Sequence, residues 1–159
     1  MNCVSWAESF AFCIWDGGFL PTEVQWEYAA AGGIENRKYP WGASEPTSEE
    51  ATFGGTKGVL IPVGSHPKGR GRWGHHDLAG SRWEWTLDFF RVDWYASWTS
   101  GSVCVDCANL ANADYQVFRG GGWASTAEES RVTFRAGGPT SFSYRADDIG
   151  VRCARAKAR

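Results

Sequence analysis

The sequence has no apolar run approaching the roughly 18 residues that a membrane-spanning helix needs, so no such helix and no membrane partner are expected. Its first residues, Met1-Asn2-Cys3-Val4-Ser5, carry neither a basic n-region nor an apolar h-region, and no signal peptide is read there. Positive charge is not in excess. A formal net charge of -2 and a pI of about 5.9 leave no electrostatic footprint for nucleic acid. The basic tail (Arg152, Arg155, Lys157, Arg159) reads as a solvated terminus. Histidine is scarce, limited to His66, His75 and His76, and no Gly-x-Ser-x-Gly elbow is present, so serine-hydrolase chemistry lacks its parts. A second Cys-x-x-Cys is missing too. The lone Cys104-Val105-Asp106-Cys107 would need two more ligands for zinc, and the adjacent His75-His76 point different ways. No helix N-terminus is read beside it to depress a thiol pKa, so a short local disulfide stapling an irregular loop is the reading.

What the chain does have is 159 residues of ordinary globular composition, 43% hydrophobic and 21% charged, which suits a single domain over 1–159. Ten Trp and 20 Gly point to a loop-rich fold pinned by large aromatics, each needing a partner for its indole N–H. Ser5-Trp6-Ala7-Glu8 is a capping box, after which Trp6, Phe10, Cys13 and Ile14 share one helical face until Asp16-Gly17-Gly18. Thr22 caps a second helix with Gln25 reaching back. That helix runs through Trp26 to Ala31 and stops at Gly32-Gly33. Beyond it, turn chemistry at Pro40-Trp41-Gly42, Pro67-Lys68-Gly69 and Gly137-Gly138-Pro139 separates short β-type runs. Strands are predicted at Val59–Val63, Trp83–Leu87, Gln116–Arg119, Arg131–Arg135 and Ile149–Ala154. The fold class is α+β, two N-terminal helices followed by long loops around a small antiparallel sheet.

Several blocks, in order, resemble the formylglycine-generating enzyme (sulfatase-modifying factor) family. They are Val4-Ser5-Trp6 with Ala11-Phe12-Cys13, then Leu20-Pro21-Thr22-Glu23-Val24-Gln25-Trp26-Glu27-Tyr28-Ala29-Ala30, and Tyr39-Pro40-Trp41-Gly42. Pro62-Val63-Gly64-Ser65 and Asp77-Leu78-Ala79-Gly80-Ser81-Arg82-Trp83-Glu84-Trp85-Thr86 follow. Phe118-Arg119-Gly120-Gly121-Gly122-Trp123, Phe134-Arg135 and Gly150-Val151-Arg152-Cys153-Ala154 complete the match. The resemblance implies an irregular C-type-lectin-like fold. Family members usually carry a further segment before the Val-Ser-Trp block, so the chain reads as N-terminally truncated relative to them. A homo-oligomer covering the surface of that segment is one expectation.

The resemblance also implies a disulfide between Cys13 and Cys153, leaving Cys3 as the odd thiol beside the Cys104–Cys107 staple. Disulfides and family together favour an exported protein. In the family's oxidases two cysteines hold Cu(I), one two residues after the aromatic of the Gly-Gly-Ser block and one five further on. Counted from Trp123, those positions are Ser125 and Ser130, and the Ser of the block is Gly122. A protonated hydroxyl neither suits soft Cu(I) nor forms a mixed disulfide with a substrate cysteine, so no copper is expected.

Asp77-x-x-Gly80-x-Arg82-x-Glu84 matches a family calcium loop, which implies ligands from the Asp77 and Glu84 side chains and the Gly80 and Arg82 carbonyls. Structural Ca²⁺ is therefore expected there, weakened if the Arg82 guanidinium folds back. The family's other cation loop is eroded at Ala51-Thr52-Phe53 and is expected to be empty. The reading is a non-catalytic, calcium-stabilised module recognising a peptide, glycan or protein, with Trp73, Trp94, Trp98 and Trp123 as candidate groove residues. Trp94 and Trp98 lie in an insertion over 89–102. Two enzyme readings stand as alternatives: a cysteine-to-formylglycine oxidase, and an accessory half of an ergothioneine-type sulfoxide synthase, whose iron-binding histidine set would come from another domain.

Overall fold

A computed structural model describes residues 1–55, 61–97 and 104–156. Helix α1 (Trp6–Trp15) opens on the capping box, with the Glu8 N–H donating to Ser5 Oγ and the Ser5 N–H donating back to Glu8 at 2.8 Å. Helix α2 (Glu23–Ala31) repeats the device with Thr22 and Gln25, and Gly32 ends it in the left-handed conformation. Four strands follow among the described residues: β1 (Trp83–Phe89), β2 (Tyr115–Arg119), β3 (Ala136–Pro139) and β4 (Ile149–Gly150). Short 3₁₀ turns occur at Gly33–Glu35, Pro67–Gly69 and Tyr95–Ser97.

The sheet order is β3-β2-β1-β4. Strands β1 and β2 are antiparallel, with Trp85 opposite Phe118, and β2 and β3 are antiparallel too. Strand β4 lies parallel to β1, pairing Ile149 with Trp83, so the sheet is mixed rather than purely antiparallel. Trp83, Trp85 and Phe118 form its inner face with Cys13, Leu20 and Ile149. A second cluster, Trp26, Ala30, Ala31, Leu78 and Val132, sits behind α2. Trp85 donates its indole N–H to the Val4 carbonyl at 3.0 Å and Trp6 to that of Thr86 at 2.7 Å.

Three strand expectations are corrected. Residues 131–135 form a turn, because the buried Arg119 guanidinium takes the carbonyls of Val132 and Phe134 at 2.6 and 2.8 Å and removes them from any ladder. The strand falls instead at Ala136–Pro139, where a Cβ on Gly138 would come within 2.6 Å of the Trp85 ring and 2.9 Å of Phe118. Only glycine lets that edge pass beneath the aromatics. Strand β4 stops at Gly150, after which the chain turns to Phe19, with which Ala154 exchanges backbone bonds of 2.8 and 2.9 Å. Of Val59–Val63, residues 59 and 60 lie outside the described residues, and 61–63 contain no strand.

The core face of α1 also differs from the expected one. Ser9 and Cys13 are buried, whereas Phe10, Ile14 and Trp15 are exposed. Cys13 is joined to Cys153, tying α1 to the chain after β4, and Cys104 is joined to Cys107. Cys3 is free and exposed.

Candidate functional site

The turn after β2 carries the two serines. Gly120 and Gly121 have φ of 95° and 80°, swinging the chain back under Trp26 and the serines. Ser125 is 5% exposed and its Oγ accepts from the Gly122 N–H at 2.9 Å. Ser130 is 1% exposed and its hydroxyl donates to the Thr126 carbonyl at 3.1 Å. Both side chains lie against Gly121, so the fold does bring these positions together. Each hydroxyl is engaged in holding the turn, and neither has a histidine among its hydrogen-bond partners. A Cβ on Gly122 would meet Asp148 Oδ2 at 2.9 Å and Trp83 Cδ1 at 3.0 Å, which accounts for glycine in this setting.

A second feature is the loop entering β1. Gly80 has φ of 72°, and a Cβ there would run into the Thr52 carbonyl. Asp77 and Ser81 are left-handed as well, with φ of 59° and 62°. Asp77, Arg82 and Glu84 line one cavity of about 200 Å³, which Arg152 shares. Asp77 Oδ2 accepts from the Gly64 N–H at 2.8 Å. Glu84 is nearly buried, and its Oε1 accepts from Arg152 Nη2 at 2.8 Å. Its Oε2 accepts from Trp26 Nε1 at 2.8 Å and from Arg152 Nε at 2.9 Å. Arg152 Nη2 also donates to the His76 carbonyl at 2.8 Å, and the Glu84 charge raises the Arg152 pKa. The Arg82 guanidinium folds back onto the Ser81 carbonyl at 2.6 Å. Two carboxylates and the loop carbonyls are the right donor types for Ca²⁺. Two guanidiniums in the same cavity already oppose their charge. In the eroded loop, Thr52 Oγ1 bonds His66 Nε2 at 2.9 Å and its carbonyl receives the Ser81 N–H.

The largest concentration of buried charge was not read from the sequence. Glu23 and Arg119 are both fully buried, 3.3 Å apart. Arg135 donates to Glu23 through Nε at 2.6 Å and Nη2 at 2.8 Å, and Arg119 also pairs with Glu27. Asp88, fully buried, accepts from the Glu23 N–H at 2.6 Å and the Asn109 N–H at 2.7 Å, pinning the start of α2 to the segment after Cys107. Burial pushes its pKa up to about 6 despite those two bonds. Tyr95 donates to Glu23 at 3.3 Å, and its pKa is raised, first by burial and then by the Glu23 charge. The helical spacing of Glu23 with Trp26 and Ala30 was the available signal, since it places a carboxylate on the core face of α2.

The outer side of this network opens into a groove of about 240 Å³ between α2 and the segments of Tyr95 and Cys104. Val24, Glu27, Tyr28 and Ala31 line one wall, at i, i+3, i+4 and i+7 of the helix. Tyr28 is 58% exposed and stacks on Trp73 at 5.5 Å with an 18° interplanar angle. Of the tryptophans proposed for a groove, Trp73 thus backs this one through Tyr28, whereas the other wall is lined by Tyr95 and not by Trp94. Trp123 is half-buried, its backbone tied to Ser81 and Gly55, and Trp98 lies outside the described residues.

Comparison with known proteins gives a consistent picture. The model of the sulfatase-modifying factor enzyme 1-like domain matches residues 1–157. The chain is 34% identical over 174 aligned positions to the inactive C-alpha-formylglycine-generating enzyme 2 of Mus musculus, covering 98% of this chain and 49% of that protein. It is 37% identical over 139 positions to the hercynine oxygenase of Mycobacterium tuberculosis, covering 83% of this chain and 31% of the relative. Among solved structures, PvdO from Pseudomonas aeruginosa superposes with a TM-score of 0.72 at 25% identity, over 94% of this chain and 59% of that one. The chain spans about half the length, or less, of the curated relatives it matches.

Proposed function

The chain belongs to the sulfatase-modifying factor enzyme 1-like family, and we propose that within it this chain is a non-catalytic binding module for a peptide, glycan or protein. The observation that carries this reading is the state of Ser125 and Ser130. Both are buried hydroxyls engaged in turn hydrogen bonds, where the family resemblance implies a thiolate pair. A buried hydroxyl at neutral pH supplies neither a soft metal ligand nor a sulfur nucleophile. Similarity over nearly the whole chain to a relative named inactive supports it. The groove beside α2 is the surface this reading uses.

The protein should leave a cysteine-containing peptide intact when incubated with Cu(I) and oxygen, as followed by mass spectrometry and aldehyde labelling. Aldehyde formation that persists in the Cys104→Ser/Cys107→Ser variant would overturn the reading and restore the oxidase. The 37% identity to a hercynine oxygenase favours one second reading, an accessory half of such an enzyme completed by another domain.

Calcium belongs to the same proposal. Asp77, Glu84 and the carbonyls of Gly80 and Arg82 would hold Ca²⁺, which would brace the loop entering β1. With Arg152 and Arg82 in the cavity, binding should be weak, about millimolar, near the low-affinity end for protein calcium sites. The melting temperature of EDTA-treated protein should rise as Ca²⁺ is added through that range, and should not rise in Asp77→Ala. An unchanged melting temperature in the parent protein rules the calcium site out.

A further inference from the structure

We infer that the groove beside α2 recognises a single basic side chain, arginine foremost, of a peptide partner. This rests on the binding-module reading and names the chemistry of its ligand. The argument starts from charge. Glu23, Glu27 and Asp88 set three carboxylates against two guanidiniums, Arg119 and Arg135, in one connected network. Glu23 and Asp88 are sealed inside it, while the Glu27 side chain is 38% exposed and lines the groove. Glu27, whose Oε2 is held by Arg119, is therefore the one carboxylate of the network that reaches the groove, beside a low-dielectric wall that strengthens its field.

The surrounding rings fit the same guest. Tyr28 and Tyr95 line the groove together with Glu27. The neighbourhood already uses arginine–ring contacts, with Arg135 4.8 Å over Tyr95, Arg72 5.5 Å over Trp73 and Arg119 5.4 Å over Trp26. A planar guanidinium stacks on such rings and forks onto a carboxylate, which a neutral side chain does not do. Volume agrees with a single side chain. About 240 Å³ is below the usual range for a drug-sized ligand. The walls are also braced. Tyr28 rests on Trp73, Gly33 packs beneath both rings, and the Cys104–Cys107 disulfide stiffens the far side. A site held this way loses little entropy on binding.

The test uses ¹⁵N-labelled protein titrated with acetyl-Gly-Arg-Gly-amide and with the uncharged isostere acetyl-Gly-citrulline-Gly-amide. The arginine peptide should shift the amide resonances of Tyr28, Gly33 and Asn36 saturably, and the citrulline peptide should bind at least about tenfold more weakly. Arginine-peptide binding should weaken several-fold as salt rises from about 0.05 to about 0.5 M, because the groove is open to solvent. Tyr28→Ala should abolish the shifts at Gly33 and Asn36, with a circular dichroism spectrum matching the parent showing that the fold is kept. Glu27→Gln should reduce affinity without moving the site, provided its circular dichroism matches the parent. Equal affinity for the citrulline peptide would overturn the cationic specificity and leave the binding module standing. Absence of groove shifts with either peptide would overturn the proposal outright. Failure of the module reading itself would show separately, as aldehyde formation on a cysteine peptide.

Discussion

Two carboxylate sites in this molecule are built from the same residue types and differ in one count. At the loop entering β1, Asp77 and Glu84 face Arg82 and Arg152, two against two. Behind α2, Glu23, Glu27 and Asp88 face Arg119 and Arg135, three against two. The first site is closed, because Arg152 and the Trp26 indole between them engage both oxygens of Glu84. The second holds one carboxylate more than it has guanidiniums: Asp88 rests on two backbone N–H groups inside, while Glu27, paired with Arg119, reaches the surface. Electrostatic character here follows from how the arginines are placed as much as from the number of acids, since both oxygens of Glu84 in the motif resembling a calcium loop are already engaged.

The comparison breaks most severely at Arg119. Replacing it by Ala leaves Glu23 buried beside only Arg135 and frees three turn carbonyls. Urea unfolding should show a loss of about 3–5 kcal/mol, the usual scale for stranding a buried charge. Asp88 tests the surplus itself. Its folded pKa of about 6 lies above the unfolded value near 3.8, so its stabilising contribution is full below about pH 4 and lost as pH rises through 6. Across that window it should cost the fold on the order of 2–3 kcal/mol. Asp88→Asn should flatten this segment of the stability–pH curve, and an unchanged slope would assign it to another group. The smallest effect should come from Arg152→Gln. Its loss strands Glu84, but Arg152 is 30% solvent-exposed and water can reach the vacated side, so the cost should stay below the roughly 3–5 kcal/mol of a sealed pair, and the Ca²⁺-induced rise in melting temperature should grow. If Ca²⁺ stabilises that variant no more than the parent, Arg152 does not compete with the ion for Glu84.

Local chemistry made much of the fold legible. Ser5 with Glu8 and Thr22 with Gln25 announce both helices, since a capping box is written within four residues. The Trp83–Leu87 run, with its large aromatics, reads as a strand, and Trp83 and Trp85 are both buried in it. What escaped detection depends on partners far apart in sequence. Arg131–Arg135 alternates like a strand, yet Arg119 takes its carbonyls from 13 to 15 residues away. Gly137-Gly138 reads as a turn, and only the overlying Trp85 and Phe118 make it a strand. The parallel pairing of β4 has no local signature. In the candidate sites, Ser125 and Ser130 were found by resemblance, and the fold places both against Gly121. The Glu23–Arg119–Arg135 network is hidden because its members sit in three separate blocks, and only Glu23, by its helical spacing, points to the core.

The bond between Cys13 and Cys153 spans 140 residues of sequence. Mechanically, this closes the intervening chain into a loop, so that α2, the sheet and the groove cannot be drawn out end to end until that bridge is reduced. A single protease cut within the loop would likewise leave one covalent particle, separating into two fragments only in the presence of reductant.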